Sequence, residues 1–277
     1  MKFNLKMIAA AAALVAVSSA HADLANNTTG NSSFALVAFN TTTNAYYVRD
    51  LGFTLNSFLP DSVTTTTIDG GGSAVTGNKT PEAGLNITFG AGQFSTWLAG
   101  QTSGSILWTV AAGDGLTAAG TSNLSRGLIA ASALPGTAPT NTTVRTFVNT
   151  SSGVSGLATQ NNDGTAYYDK TGAAVIGGFT SNYFFGAPTA LGSAASLYYY
   201  TTTAGTGSST VAANVTGFSN SLNTATLTLA SSGVLTYDLQ PAVSPVPLPA
   251  AAWLMGSGLV GLAGVFRRRK AAAAAAV

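Results

Sequence analysis

The sequence predicts a mainly β protein: an antiparallel β-sandwich or jelly-roll-like body, an N-terminal signal helix and a single C-terminal transmembrane helix. Two observations carry the β assignment. Short clusters of β-branched and aromatic residues recur at roughly ten-residue spacing, and turn-forming Gly, Asn and Asp lie between them. A third observation sets the frame, an uncharged apolar run at each end of the chain. The runs read as strands are "SSFALVAF" from Ser32, "AYYVRDL" from Ala45, "LNITF" from Leu85 and "SILWTV" from Ser105. "VRTFV" from Val144, "SLYYY" from Ser196, "ATLTLA" from Ala225 and "VLTYDL" from Val234 complete the set. Thr226 to Leu229 alternates polar with apolar, the mark of a strand with one buried face. "DGGGS" at Asp69, "GDG" at Gly113 and "NNDG" at Asn161 read as turns, because glycine takes the positive φ that tight turns need. "GAGQFSTWLAG" from Gly90 reads as a short helix with Phe94, Trp97 and Leu98 on one face, and "LNSFLP" as one helical turn ended by Pro60. Asn141–Thr143 and Gly205–Thr210 read as flexible connections. The Thr-rich pieces, "NTTTN" at Asn40 among them, read as loops or solvated edges rather than as a repeat.

The first 22 residues read as a secretory signal peptide. Lys2 and Lys6 precede an apolar stretch from Met7 to Val17, and Ala20-His21-Ala22 supplies the small-x-small pattern cut between Ala22 and Asp23. About 20 apolar residues are needed to span a bilayer, and this run is shorter. Residues 23–241 form the exported Thr/Ser/Gly-rich β domain, and residues 242–249 a proline-rich linker. Residues 250–266 carry no charge and at 1.5 Å per residue cover about 25 Å, enough for a short transmembrane helix. Trp253 stands where an interfacial anchor belongs. Residues 267–277 hold the stop-transfer cluster Arg267, Arg268, Arg269 and Lys270 followed by an alanine-rich tail. The expected topology puts the domain outside and the tail inside.

Composition narrows the chemistry. The whole chain has a formal charge of +2, yet the exported region carries only Arg49, Lys79, Arg126, Arg145 and Lys170 against all nine acidic residues. A weakly acidic body with scattered cations has no footprint for nucleic acid. There is no cysteine, and the only histidine is His21, which leaves with the signal peptide. Ser-His-Asp and Cys-His machinery and His- or thiolate-ligated metals are thereby excluded from the exported part. Carboxylates remain, and a secreted carbohydrate-active enzyme using Asp residues and Glu82 is the alternative reading. Asp163 and Asp169 in "NDGTAYYDK" suit a two-carboxylate glycosidase, although a hairpin turn at Asp163-Gly164 with a charged exit strand explains them more simply. Calcium is the one ion the sequence allows, through Asp and Asn oxygens of "DGGGS" and "NNDGTAYYD", neither of which matches an EF-hand loop. Otherwise no cofactor is expected. Asn31, Asn40, Asn86, Asn141 and Asn214 are among the N-x-S/T acceptor patterns.

Val246-Pro247-Leu248-Pro249, then Trp253 with Gly256-Ser257-Gly258-Leu259, then Arg267–Arg269 form three parts in order. Together they closely resemble the PEP-CTERM sorting signal in its V-P-L-P-A variant. Leu248 replaces the acidic residue of the commoner form, and "AAAAAAV" extends past the point where such chains usually stop. The resemblance covers about the last 30 residues. It implies a substrate of exosortase, an integral-membrane cysteine protease of Gram-negative bacteria. Such a protein is inserted in the inner membrane in transit, cut near the proline motif and passed to the cell surface or extracellular matrix. Pro247 and Pro249 suit that role, since they hold the backbone extended and block helix propagation. Proteins with this signal are commonly associated with exopolysaccharide and biofilm matrix. The expected function is therefore structural or adhesive, not enzymatic, with exosortase and extracellular polysaccharide as partners. A domain that stays anchored in the membrane is a further alternative. The opening "NSSFALVAFNTTTNAYYVRDLGFTLNSFL" resembles the start of an uncharacterised group among such proteins, which implies no activity. Trp97, Trp108 and Tyr198–Tyr200 are candidates for stacking on sugar rings, with core packing as their plainer role.

Overall fold

A computed structural model describes residues 24–25, 31–63, 67–68, 74–79, 85–88, 93–101, 104–115, 125–133, 137–149, 153–159, 167–171, 187–203, 210–220 and 222–240. The chain divides into two compact units, 1–241 and 242–277, and all described residues belong to the first.

The first unit is mainly antiparallel β. In chain order its strands are β1 (Ser33–Asn40), β2 (Ala45–Thr54), β3 (Phe58–Leu59), β4 (Thr67–Ile68), β5 (Ala74–Val75), β6 (Asn78–Lys79), β7 (Leu85–Thr88) and β8 (Ile106–Asp114). They continue with β9 (Arg126–Ala131), β10 (Tyr167–Thr171), β11 (Thr189–Ala190), β12 (Ala194–Thr201), β13 (Asn214–Gly217), β14 (Thr226–Leu229) and β15 (Val234–Asp238). Among the described residues three helices, α1 (Gln93–Ala99), α2 (Asn141–Asn149) and α3 (Val154–Thr159), and a 3-10 turn at Leu55–Ser57 join them. Eleven strands form one sheet in the order β10-β2-β1-β8-β9-β12-β14-β15-β7, with β11 beside β8 and β13 beside β12. The sheet curls into a half-barrel. Two facing sheets or a jelly roll were expected; eleven of the described strands make one continuous sheet whose curvature brings its inner surface together, and β3–β6 and β4–β5 form two small separate pairs.

A core lies on each face of that sheet. The inner face gathers Phe34, Leu36 and Ala38 of β1, Trp108 and Val110 of β8, Leu197 and Tyr199 of β12, and Leu235 and Tyr237 of β15. Phe58 sits at its centre. Its ring stacks on Phe34 at 4.9 Å and meets Tyr237 edge-on at 5.1 Å, while Phe218 lies at 5.7 Å. Such pairs add about 0.5–1.5 kcal/mol each beyond their buried area. The 3-10 turn delivers Phe58 there, held by a Thr54 N–H donating to Ser57 Oγ at 2.9 Å. α1 seals the same face, with Phe94 edge-on to Tyr47 at 5.4 Å.

The outer core forms where α2 and α3 lie on the sheet. Val144, Phe147 and Val148 of α2 and Val154 and Leu157 of α3 pack with Val37, Phe39, Ile129 and Tyr200. Two opposed glycines make room for them. Gly113 of β8 pairs with Gly127 of β9, and a Cβ on Gly113 would stand 3.0 Å from Val148 and 3.2 Å from Val154. Leu24 is buried in this core as well, and Ala25 exchanges hydrogen bonds with Ser33 at the start of β1.

Three local expectations need correction. "VRTFV" is not a strand; it is the body of α2, and Asn141–Thr143 is that helix's first turn rather than a flexible connection. Thr140 caps it by accepting the Thr143 N–H at 3.2 Å, and Asn141 bridges reciprocally to Thr203. At "GDG" β8 does not turn but runs on to Asp114, because Asp114 pairs with Arg126 across the sheet. "NTTTN" is a turn as expected, with Asn40 Oδ1 accepting the Thr42 and Thr43 N–H groups.

Candidate functional site

The signal-peptidase residues Ala20, Ala22 and Asp23, the sorting motif Val246–Pro249 and the basic cluster Arg267–Lys270 lie outside the described residues. So do Glu82, Asp163, "DGGGS", "NNDG" and Gly205–Ser209. Asp169 is described and stands exposed on β10. Among the described residues no group of three or more His, Cys, Asp or Glu side chains could hold a metal ion, and no helix is long and apolar enough to cross a membrane.

Of the candidate stacking aromatics, most belong to the cores. Trp108, Tyr199 and Tyr200 are at most 2% exposed, and Trp97 is 6% exposed. Trp108 Nε1–H donates to the Ala190 carbonyl at 3.1 Å, which satisfies its one polar atom inside the fold. A sugar ring has no access to these four side chains. Tyr198 is different. It is half-buried on the outer face, where its cross-strand neighbour is Gly217. A Cβ on Gly217 would meet nothing within 4 Å, so one flank of the Tyr198 position is open.

The same face extends over β12, β14 and β15. Ser196, Thr226 and Asp238 lie opposite one another in one row, and Ala194, Thr228 and Thr236 in the next. Strand alternation puts Leu227, Leu229, Leu235 and Tyr237 into the inner core and therefore turns these Thr residues outward. All three threonines are half-buried. α2 packs on β8, β9 and β12 and α3 on β8, so the helices cover the middle of the outer face. The hydroxyls stand about 4.8 Å apart between strands and about 7 Å apart along them, set by sheet geometry.

A second polar group lies inside the fold, and sequence reasoning missed it. Arg126 Nη2 and Nε both donate to Asp114 Oδ2, at 2.6 and 3.1 Å, and Nη2 also reaches Asn56 Oδ1 at 2.8 Å. Neither side chain of the ion pair is more than 1% exposed. Burial pushes the nearby Tyr199 phenol above its ordinary pKa; the Arg126 charge and hydrogen bond draw it partly back, and Asp114 adds to the rise. A carboxylate held doubly by one guanidinium, with both side chains buried, is a structural tie. The available signal was "GDG" itself, since an acid at a strand end opposite a lone Arg is a pairing candidate.

Burial also sorts the acceptor asparagines. Asn40 and Asn141 are at most 1% exposed, the first holding a turn and the second bonded to Thr203, whereas Asn214 on β13 is exposed. No protein-family model, curated protein or solved structure matches this chain.

Proposed function

We propose that the protein is an exported surface or matrix component of a Gram-negative bacterium, made with a cleavable signal helix and held by a transmembrane helix until exosortase cuts near Val246–Pro249. The observation that carries this reading is the three-part tail, preceded by a leader ending at Ala22. The body then works by binding or building rather than by turnover, with extracellular polysaccharide as its partner. The outward hydroxyls of Thr226, Thr228 and Thr236 beside Tyr198 support that reading, because neutral hydroxyl rows and one accessible ring suit a neutral or weakly charged glycan.

Mass spectrometry of the native protein from matrix and envelope fractions tests the route. A matrix form starting at Asp23 and ending near Pro247 is expected; an intact tail confined to membranes would sink the sorting reading and leave a permanently anchored domain. Binding is tested by retention on immobilised exopolysaccharide. Thr226→Val and Thr228→Val together remove two hydroxyls at nearly constant shape. At about 1 kcal/mol per lost hydrogen bond, retention should fall more than tenfold with the melting temperature nearly unchanged. Equal retention by both proteins would clear this face of the role, and release of soluble sugars would favour the enzyme.

A further inference from the structure

One part of the outer face combines an aromatic wall, an empty slot and a carboxylate. Leu197 and Tyr199 of β12 point into the inner core, so Ser196 and Tyr198 point outward. The Tyr198 ring packs on the margin of the outer core and stays half-buried. Gly217 of β13 stands across from it, and the space where a side chain would rise from Gly217 holds nothing within 4 Å. The result is a slot with a phenol ring along one side. One row away on the same side of β12, Ser196, Thr226 and Asp238 lie abreast on three strands. Among the described residues no hydrogen bond engages the hydroxyls of Ser196 and Thr226. Asp238 accepts the Gln240 side-chain amide on Oδ1 at 2.7 Å, which orients the carboxylate and leaves Oδ2 for another donor. β7, β12, β13, β14 and β15 contain no lysine or arginine.

Each feature narrows the ligand. A ring beside an open slot takes a flat apolar surface, such as the C–H face of a sugar. An ionised carboxylate only accepts hydrogen bonds, so its ligand must bring donors, and two hydroxyls on adjacent carbons bring both at once. A ligand with its own carboxylate or sulfate would meet repulsion here and find no cation on these strands. The slot and Asp238 stand about 7 Å apart along the strands and about 5 Å apart across them, farther than one sugar ring covers. We propose that this patch is a subsite for two consecutive units of a neutral glycan. One sugar sits in the Gly217 slot against Tyr198, the next donates vicinal hydroxyls to Asp238, and Ser196 and Thr226 bond to the stretch between them. The inference rests on the reading of the body as a glycan binder and adds the charge, length and direction of the ligand.

The test passes the full chain in detergent over immobilised dextran, mannan and galactan as neutral probes and alginate as an acidic one. Retention is expected on at least one neutral polymer, unchanged between about 50 and about 500 mM salt. That polymer's disaccharide should release the protein at a concentration about tenfold below its monosaccharide. Preference for alginate, or equal release by both sugars, would overturn the subsite. Gly217→Val fills the slot without a clash at a strand position that favours valine, so the variant should melt like the wild type and lose about tenfold in retention. Asp238→Asn keeps the Oδ1 acceptor for Gln240 and removes the charge, and should also lose about tenfold. Should Gly217→Val fail to fold, Asp238→Asn decides. Wild-type retention by both variants, on a polymer that the Thr226→Val, Thr228→Val protein no longer holds, would refute the subsite and leave the glycan-binding face standing. No retention of the wild type on any of the polymers would overturn both.

Discussion

Arg126 and Asp114 show at the level of single residues how a buried charge is tolerated. Each has traded water for the other, and Asn56 takes part of the remaining hydrogen-bonding capacity. Removing one partner strands the other in a medium that solvates it poorly. Asp114→Asn is therefore expected to cost about 3–5 kcal/mol, read as a lower urea midpoint. Replacing the pair together, Asp114→Leu with Arg126→Met, should cost much less than the single change. A single change costing under about 1 kcal/mol would show that the guanidinium finds water. The tyrosines give a pH signature. Burial pushes the phenols of Tyr46, Tyr199 and Tyr200 above the ordinary value near 10. Above pH 10 the unfolded chain releases these protons while the folded chain keeps them. The unfolded state then binds fewer protons, so stability is whole below pH 10 and falls as pH rises beyond it. Urea midpoints from pH 8 to 11.5 should be flat at first and then drop, with phenolate absorbance from these residues appearing only on unfolding.

Among elements, α2 teaches the most about what a sequence discloses. Its core "TTVRTFV" is built of β-branched residues, which favour strands by local preference. Val144, Phe147 and Val148 nevertheless fall at i, i+3 and i+4 and are all buried against the sheet, so tertiary packing overrides local preference. The Thr140 cap was the cue that could have decided it. β9 was missed for the opposite reason. "RGLIAA" is buried on both faces, so it does not alternate, and its Gly and Ala have weak strand preference. β14 and β15 were legible because one face is wet and one is dry. The seat of α2 is itself testable. Gly113→Ala places a methyl against Val148 of α2 and Val154 of α3, which pack on each other, and should cost about 1–3 kcal/mol. Adding Val148→Ala should recover part of that loss in a double-mutant cycle. Strict additivity of the two changes would mean the helix moves freely.

For the whole molecule, β1 is the shared wall of both cores, buried along its entire length. Melting one core removes a face from the other, so unfolding should be a single transition, with coincident curves from far-ultraviolet dichroism and from the fluorescence of Trp97 and Trp108, which report the inner face in a Trp253→Phe background. A separate early loss of fluorescence would show that the cores are independent. The hydroxyl face exists only once strands are in register. No spacing in "TLTL" says which strand lies beside it. The register has a temporal consequence too. Several neighbouring strands are distant in sequence: Ala35 meets Ala111, Ala131 meets Ser196, and Leu85 at one edge waits for Tyr237. Each such closure costs chain entropy before any packing rewards it, and sheets of this kind fold in milliseconds to seconds or longer. The edge strand β7 can find its place only after the last fifth of the body has been made, so a nascent chain stays open until nearly all of it is available. Strand order alone thus sets how late the sheet can close.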